Sequence, residues 1–286
     1  MKCFGSSFLH LAPLVLLACG GAAPPASPPT APAAQGPAPG VDATTGARLR
    51  AAIASSDRPV GEVARDKWRH PAETLEFFGI REDMTVVELW PGGGWYTAIL
   101  APLLADKGKL VVTNMDPNGP SESAKSYAAR LASKPNDFAK VAVKIINPPA
   151  DVSLGADGSA DAVVTFRNFH NWVRDGIADP VLAASFRVLK PGGVFGVEEH
   201  RASADADPSK VGDTGYVPEA MVIDLAQKAG FHLEGRSEVN ANPKDTKDYP
   251  KGVWTLPPVL RLGDQDRAKY EAIGESDRMT LRFRKP

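Results

Sequence analysis

The chain has 286 residues, 43% of them apolar, with 33 Lys and Arg against 34 Asp and Glu. That is enough apolar material for a buried core and enough length for one large domain or two small ones. The near balance of charge excludes the basic footprint of a nucleic-acid binder and a polybasic membrane patch, so the expected partner is a small molecule.

Lys2 precedes a short apolar run, Phe8 to Ala18, interrupted only by His10 and Pro13. The run is too short to cross a bilayer as a helix and reads as the core of a signal peptide over residues 1–18. It ends in Leu16-Leu17-Ala18-Cys19-Gly20, which resembles a bacterial lipobox. The resemblance implies that Cys19 is acylated and becomes the first residue of the mature protein. Cys3 and Cys19 are the only cysteines, so the mature domain would hold no disulfide and no cysteine metal site. Residues 19–45 read as a spacer, because the Ala, Pro and Gly of Ala22 to Gly40 cannot bury a core. An acylated Cys19 would tether the chain without spanning the membrane. The expected location is the cell envelope, as a periplasmic lipoprotein at the outer membrane.

The remaining residues, 46–286, read as one domain. Glu62 to Phe78 has helical character, with a fresh turn at Pro71 and an end at Gly79. Thr85 to Trp90 is a β-branched apolar run and reads as a buried strand. Pro91-Gly92-Gly93-Gly94 breaks it, and Trp95 to Ala105 reads as a helix. The alternation repeats: strand at Lys109–Met115, helix at Ser121–Ser133, strand at Val141–Ile146. A fourth strand at Asp161–Phe166 leads into a helix running through Val188. Lys190-Pro191-Gly192-Gly193 reads as a tight turn before a fifth strand, Val194–Val197. A helix at Pro218–Ala229 is capped by Gly230, and Phe231–Val239 and Met279–Arg284 are the last two strands. This rhythm predicts an α/β fold, doubly wound, with a mostly parallel sheet. Ligands of such sheets bind beyond the carboxyl ends of the strands, where the strand order reverses.

Three features fall at those ends. Glu88-Leu89-Trp90-Pro91-Gly92-Gly93-Gly94 joins a strand to a helix, where glycines let backbone amides approach an anionic ligand. Thr97 stands where a dinucleotide loop wants its third glycine or alanine. No Tyr-x-x-x-Lys pair is recognisable near the site, which also argues against a nicotinamide enzyme. Asp116 follows the second strand, where a carboxylate can accept from ribose hydroxyls. It can also simply start the turn Asp116-Pro117-Asn118-Gly119.

The acid-then-glycine order of Glu88, Gly92 and Gly94 resembles the first motif of class I S-adenosylmethionine-dependent methyltransferases. Trp90 stands where that motif has its first glycine. Leu189-Lys190-Pro191-Gly192-Gly193 is similar to a turn of the same family. The resemblance covers residues 60 to 286, and extends to a bacterial group of exported predicted methyltransferases with a tail like Asn242-Pro243-Lys244-Asp245-Thr246-Lys247. It implies a seven-stranded, Rossmann-like sheet with a reversed C-terminal hairpin. It also implies S-adenosyl-L-methionine as cofactor, held by Glu88, Trp90, Pro91, Gly92, Gly94, Asp116, Asp151 and Asn168, with Asp151 near the adenine. The implied activity is methyl transfer to a small-molecule acceptor. The alternative is an S-adenosylmethionine- or nucleoside-binding protein of the cell envelope without catalysis, since the cofactor is made in the cytosol and this chain is expected outside it.

Methyl transfer from a sulfonium needs donor and acceptor held in line and, for a weak nucleophile, a base. Candidates are His170, Asn168 and His200, after the fourth and fifth strands. His170 titrates near neutrality when unperturbed and suits a base, whereas Asn168 could orient cofactor or acceptor. Two histidines and a carboxylate from Glu198-Glu199-His200-Arg201 could also ligate a divalent ion; no metal is assigned. Trp90, Trp95, Trp172 and Trp254 fall in or near the site loops, where indoles can face a sulfonium or simply pack. Asn240 to Pro258 reads as a lid or a solvated stretch, with Lys244, Asp245, Lys247 and Tyr249 as its contacts.

Overall fold

The computed structural model describes residues 1–2 and 41–286. The expected signal segment, Cys19 and most of the spacer lie outside the described residues. No helix among those described is long and apolar enough to cross a membrane.

Helices open the fold. The Asp42 carboxylate caps α1 (Ala43–Ile53) by accepting from the Thr45 amide at 2.9 Å and the Thr45 hydroxyl at 2.7 Å. Three short helices follow: α2 (Val60–Val63), α3 (Asp66–Arg69) and α4 (Pro71–Phe78). The single helix expected over Glu62–Phe78 is therefore broken. His70 is left-handed at φ +39°, in front of a proline ring that disfavours a helical residue there. Pro71 starts α4, and Gly79 at φ +71° ends it.

The rest alternates: β1 (Thr85–Leu89), α5 (Thr97–Leu104), β2 (Lys109–Asn114), α6 (Glu122–Ser133), α7 (Pro135–Phe138), β3 (Ala142–Ile145), β4 (Ala160–Phe166), α8 (Phe169–Arg174), α9 (Ala178–Val188), β5 (Leu189–His200), α10 (Val211–Thr214), α11 (Glu219–Lys228), β6 (His232–Ser237), α12 (Arg267–Ile273) and β7 (Arg278–Arg284). The sheet order is β3-β2-β1-β4-β5-β7-β6. The first five strands run parallel, and β7 is antiparallel to both β5 and β6. This is the expected doubly wound, seven-stranded sheet with a reversed C-terminal hairpin. Strand order reverses between β1 and β4, which opens a crevice at their carboxyl ends.

Successive side chains of the central strands enter opposite cores. Val86, Val112 and Val164 pack with Leu49 of α1, Leu75 and Phe78 of α4 and Ile99 of α5. Val87, Leu89, Val163 and Phe195 pack with Trp172 of α8, Leu182 of α9 and Val222 of α11.

Three local expectations are corrected. The Lys190–Gly193 turn is kept, but as a bulge inside β5: Leu189 pairs with Ala160 and Val194 with Ala162, Gly192 is left-handed at φ +76°, and Gly192 N–H and Gly193 O bond to Lys285 of the chain end. β5 also extends through Glu198, Glu199 and His200, which pair with Thr280, Met279 and Arg278 of β7. The helix after β4 is split at Gly176, which is left-handed at φ +67°.

Residues 240–258 form a pinned loop, not a free lid. The buried Asp245 carboxylate accepts from Tyr216 Oη at 2.8 Å and from the Asp277 amide at 2.7 Å. Lys247 pairs with Asp277 at 2.8 Å. A 3-10 turn, Gly252–Thr255, carries Val253 and Trp254 inward. The polar composition that suggested solvation is spent on partners distant in sequence.

Candidate active site

A cleft of about 320 Å³ opens at the crevice between β1 and β4. Its walls include Trp90 to Gly93, Phe166 to Asn168, His170 and His200, Arg65 and Arg69, and Val253 to Trp254.

The turn after β1 forms one wall. Trp90 sits at φ +43°, the left-handed conformation that a glycine would adopt without a Cβ penalty. Its amide donates to Thr113 Oγ1 at 2.8 Å, and its indole lies 5.4 Å from that of Trp172. The bulky residue therefore folds its ring into the apolar layer above α8 and does not fill the turn. Gly92 is left-handed at φ +58°, and a Cβ on Gly92 or Gly93 would meet nothing within 4 Å. Gly94, at φ +79°, is different: a Cβ there would come within 2.9 Å of the Tyr127 ring. Its amide closes the turn onto Pro91 O at 2.8 Å, while those of Gly92 and Gly93 make no backbone hydrogen bond among the described residues.

Asn168 fastens this turn to β4. Its Nδ2 donates to Leu89 O at 3.0 Å, Trp90 O at 3.2 Å and Thr165 Oγ1 at 3.1 Å. Glu88 braces the turn from beneath, fully buried, accepting from Thr97 Oγ1 at 2.6 Å. Thr97 also meets Tyr127 Oη at 3.0 Å. Burial pushes the Glu88 carboxyl up to about 7, against the pull of the Thr97 hydrogen bond. The residue that breaks the dinucleotide pattern is thus the partner of the motif's own acid.

The opposite wall carries a Glu199-centred array. Glu199 is fully buried and accepts from Phe169 N–H at 2.5 Å, His200 N–H at 2.8 Å and His170 Nδ1 at 3.0 Å. A carboxylate against Nδ1 assigns a proton to that atom. His200 Nδ1 lies 2.5 Å from Ser276 Oγ, and its ring is 5.5 Å from that of His170. Burial, then the neighbouring His170 and the guanidinium groups of Arg167, Arg278 and Arg69, hold His200 well below its ordinary value, so it stays neutral.

His170, Glu199 and His200 offer ligand atoms within 4.8 Å of one another. They suit a cation poorly, because both Glu199 oxygens already accept hydrogen bonds and guanidinium groups line the same cleft.

Those guanidinium groups were not singled out by sequence reasoning. Glu275 binds Arg65 Nε at 2.6 Å, Arg278 Nη1 at 3.1 Å and Arg69 Nε at 3.2 Å, with Arg167 Nη1 at 3.8 Å. Burial alone would raise the Glu275 carboxyl, yet the four arginines pull it down to about 2. Burial, and then the repulsion of Arg167, lower Arg69 to about 9. Arg167 is left-handed at φ +60° at the tip of β4, beside left-handed Trp90 at the tip of β1. Backbone strain of this kind gathers at functional sites.

The structure thus brings together Trp90, Pro91, Gly92, Asn168, His170 and His200 as cleft walls, with Glu88 and Gly94 directly behind them. Trp95 and Trp254 also face the cleft, whereas Trp172 is buried beneath Trp90. Asp116 and Asp151 stand apart from these walls. Asp116 is exposed just beyond β2, and its Oδ1 accepts from Asn118 N–H at 2.8 Å and Asn118 Nδ2 at 3.2 Å. Asp151 is exposed too, closing a small loop through backbone pairing with Asn147 and accepting from the Ser153 amide.

No family model matches the chain, and no curated protein matches it. Solved structures of similar fold include a protein from Galdieria sulphuraria assigned as a sarcosine dimethylglycine methyltransferase. It is 14% identical, with 80% of this chain and 89% of that one covered at a TM-score of 0.52. An arsenic(III) S-adenosylmethionine methyltransferase from Chlamydomonas reinhardtii is 18% identical, with 83% and 72% covered and a TM-score of 0.48. A SAM-dependent methyltransferase from Aquifex aeolicus is 22% identical, with 66% and 91% covered and a TM-score of 0.48. Together with the strand order, the Galdieria likeness identifies the fold as the Rossmann-like methyltransferase fold.

Proposed function

We propose that the protein is an S-adenosylmethionine-dependent methyltransferase acting on a small molecule. The observation that carries this reading is the open glycine turn at the β1–β4 crevice, strapped to β4 by Asn168. The residues present fit the cofactor. The uncommitted amides of Gly92 and Gly93, with open space above them, suit its amino-acid carboxylate. The indole of Trp254, at the cleft wall, can face a sulfonium by cation–π attraction. The ribose would lie toward the end of β2, where Asp116 keeps Oδ2 free of hydrogen bonds among the described residues.

When bound, the cofactor supplies an electrophilic methyl group. The chain's own residues position and deprotonate the acceptor. Glu199 fixes the His170 ring, so that Nε2 can take the acceptor proton as the nucleophile forms. Neutral His200 and Ser276 can hold the acceptor by hydrogen bonds. The lipid tether at Cys19 and a site in the cell envelope are part of the same proposal and rest on the lipobox-like sequence.

The test is calorimetric titration of the full-length protein with S-adenosylhomocysteine. Stoichiometric binding that Asn168→Leu weakens supports the reading. No heat and no thermal shift at millimolar ligand would overturn it. Binding without turnover of any methyl acceptor would leave a binding protein that kept the fold and lost the reaction.

A further inference from the structure

The charges in and directly behind the cleft walls do not balance among the described residues. Arg65, Arg69, Arg167 and Arg278 surround two carboxylates, Glu275 and Glu198. The neighbouring acids are already engaged: Glu62 with Arg130, and Asp66 with Arg58. With the buried Glu199 of the facing wall counted as well, four guanidinium groups against three carboxylates leave an excess of one positive charge in a partly enclosed site. Burying unmatched charge is costly, and buried arginine nitrogens nearly always find acceptors. Here three do not. Arg65 Nη2, Arg69 Nη1 and Arg167 Nε are buried without a hydrogen-bond partner, and all three residues line the cleft. The Arg69 side chain is only 1% exposed. Burial first, and then the repulsion of Arg167 and Arg65, depress its proton affinity.

The cluster reaches the glycine turn through Arg69, which lies 4.7 Å over the Trp95 ring, but most of it stands on the other side of β1. Arg167 follows β4, Arg278 belongs to β7, and Glu275 lies in the segment just before β7. These strands lie on the far side of β1 from β2 and β3. The cofactor proposed above would extend over the tips of β1 and β2, so the arginines flank the other half of the crevice, next to His170 and His200.

We propose that Arg65, Arg69 and Arg167 form an oxyanion subsite, and that the methyl acceptor is a small molecule carrying a carboxylate or phosphate group bound there. Planar guanidinium donors suit both groups, because they deliver paired, charge-assisted hydrogen bonds. The anion would bind the guanidinium edges that line the cleft, offset the excess charge and set the acceptor's nucleophilic atom beside His170. The acceptor assignment rests on the methyltransferase reading; the subsite itself does not.

The experiment titrates the full-length protein with inorganic phosphate, and separately with acetate, at constant ionic strength balanced with chloride. Heat and thermal shift are recorded with and without saturating S-adenosylhomocysteine. Saturable binding of one or both anions is expected, unchanged by the nucleoside. Arg167→Gln should weaken it by about tenfold, while the exposed Arg267→Gln should leave it unchanged. If Arg167→Gln fails to fold, Arg65→Gln serves instead, since its side chain is also partly exposed. Binding of neither anion overturns the subsite. Phosphate or acetate that competes with S-adenosylhomocysteine overturns the acceptor assignment and gives the arginines to the cofactor's own carboxylate. Anion binding by a protein that does not bind S-adenosylhomocysteine keeps the subsite and removes the methyltransferase reading, so the two failures are distinct.

Discussion

Asn168 Nδ2 donates to the carbonyl oxygen of Trp90 across 3.2 Å, so the residue that follows β4 holds the backbone that follows β1. Two further bonds, to Leu89 O and Thr165 Oγ1, complete the strap. Asn168→Leu removes all three and leaves carbonyl groups unpaired at the crevice. The expected loss is about 1–3 kcal/mol of stability, read as a lower midpoint in urea, with a weaker affinity for S-adenosylhomocysteine. Unchanged affinity in a folded variant would separate the strap from ligand binding.

Gly92→Ala and Gly94→Ala should differ in kind. Both positions are left-handed, so each substitution costs about 1–2 kcal/mol in backbone conformation alone. At Gly94 the new methyl also meets Tyr127 at 2.9 Å, which adds strain in a packed layer. At Gly92 it meets open cleft. Gly94→Ala should therefore lower the melting temperature more, and Gly92→Ala should weaken nucleoside binding more than its stability loss accounts for. Equal melting temperatures would contradict the packing seen at Gly94.

Glu88 makes stability depend on pH in the less common direction. Its carboxyl is raised by burial to about 7 in the folded chain, against 4.5 for the ordinary group. Between those values the unfolded chain loses its proton while the folded chain keeps it, so this group lowers stability as pH rises from about 4.5 to about 7. The full effect is at most about 3 kcal/mol. Glu88→Gln keeps an acceptor for Thr97 and cannot ionise. It should be more stable than the parent at pH 8, with the two converging near pH 4 in calorimetric scans. Parallel curves would mean that Glu88 titrates normally.

Glu275 acts in the opposite sense. Its carboxyl is pulled down to about 2 by the arginines around it. Its contribution is fully present above about 4.5 and is lost as pH falls toward 2; the shift corresponds to about 3 kcal/mol. Glu275→Gln also leaves the guanidinium groups without their shared counter-ion. A loss of about 3–5 kcal/mol is expected at pH 7, falling away at low pH. A neutral variant as stable as the parent at pH 7 would mean that water, not Glu275, screens the cluster.

The lipid tether predicts that metabolic labelling with a radioactive fatty acid marks the wild-type chain in a bacterial host and not Cys19→Ser. Equal labelling of both would remove Cys19 as the acylated residue.

Local pattern carried the fold a long way. The buried strands β1, β2 and β4 are β-branched runs, and alternation between strand and helix allows few topologies, so the mostly parallel, doubly wound sheet was legible from the pattern, while its seven strands and reversed hairpin came from the family resemblance. So was the glycine turn, because Gly92 and Gly94 occupy backbone conformations that other residues reach only with strain. The break at His70 and the extension of β5 to His200 were less legible, since each depends on a neighbour's geometry or a pairing partner.

The charged constellation was decided by tertiary structure alone. Arg65 and Arg69 meet Glu275 across more than half the chain, and Arg167 joins them from the tip of β4. No periodicity links such residues. In sequence each is an ordinary charge on a polar stretch, and whether it is solvated, paired or left with an open donor depends on which elements pack around it. The sequence alone establishes where the backbone turns; the folded chain determines which charges converge there, because burial and Coulomb energy depend on distance in space rather than along the chain.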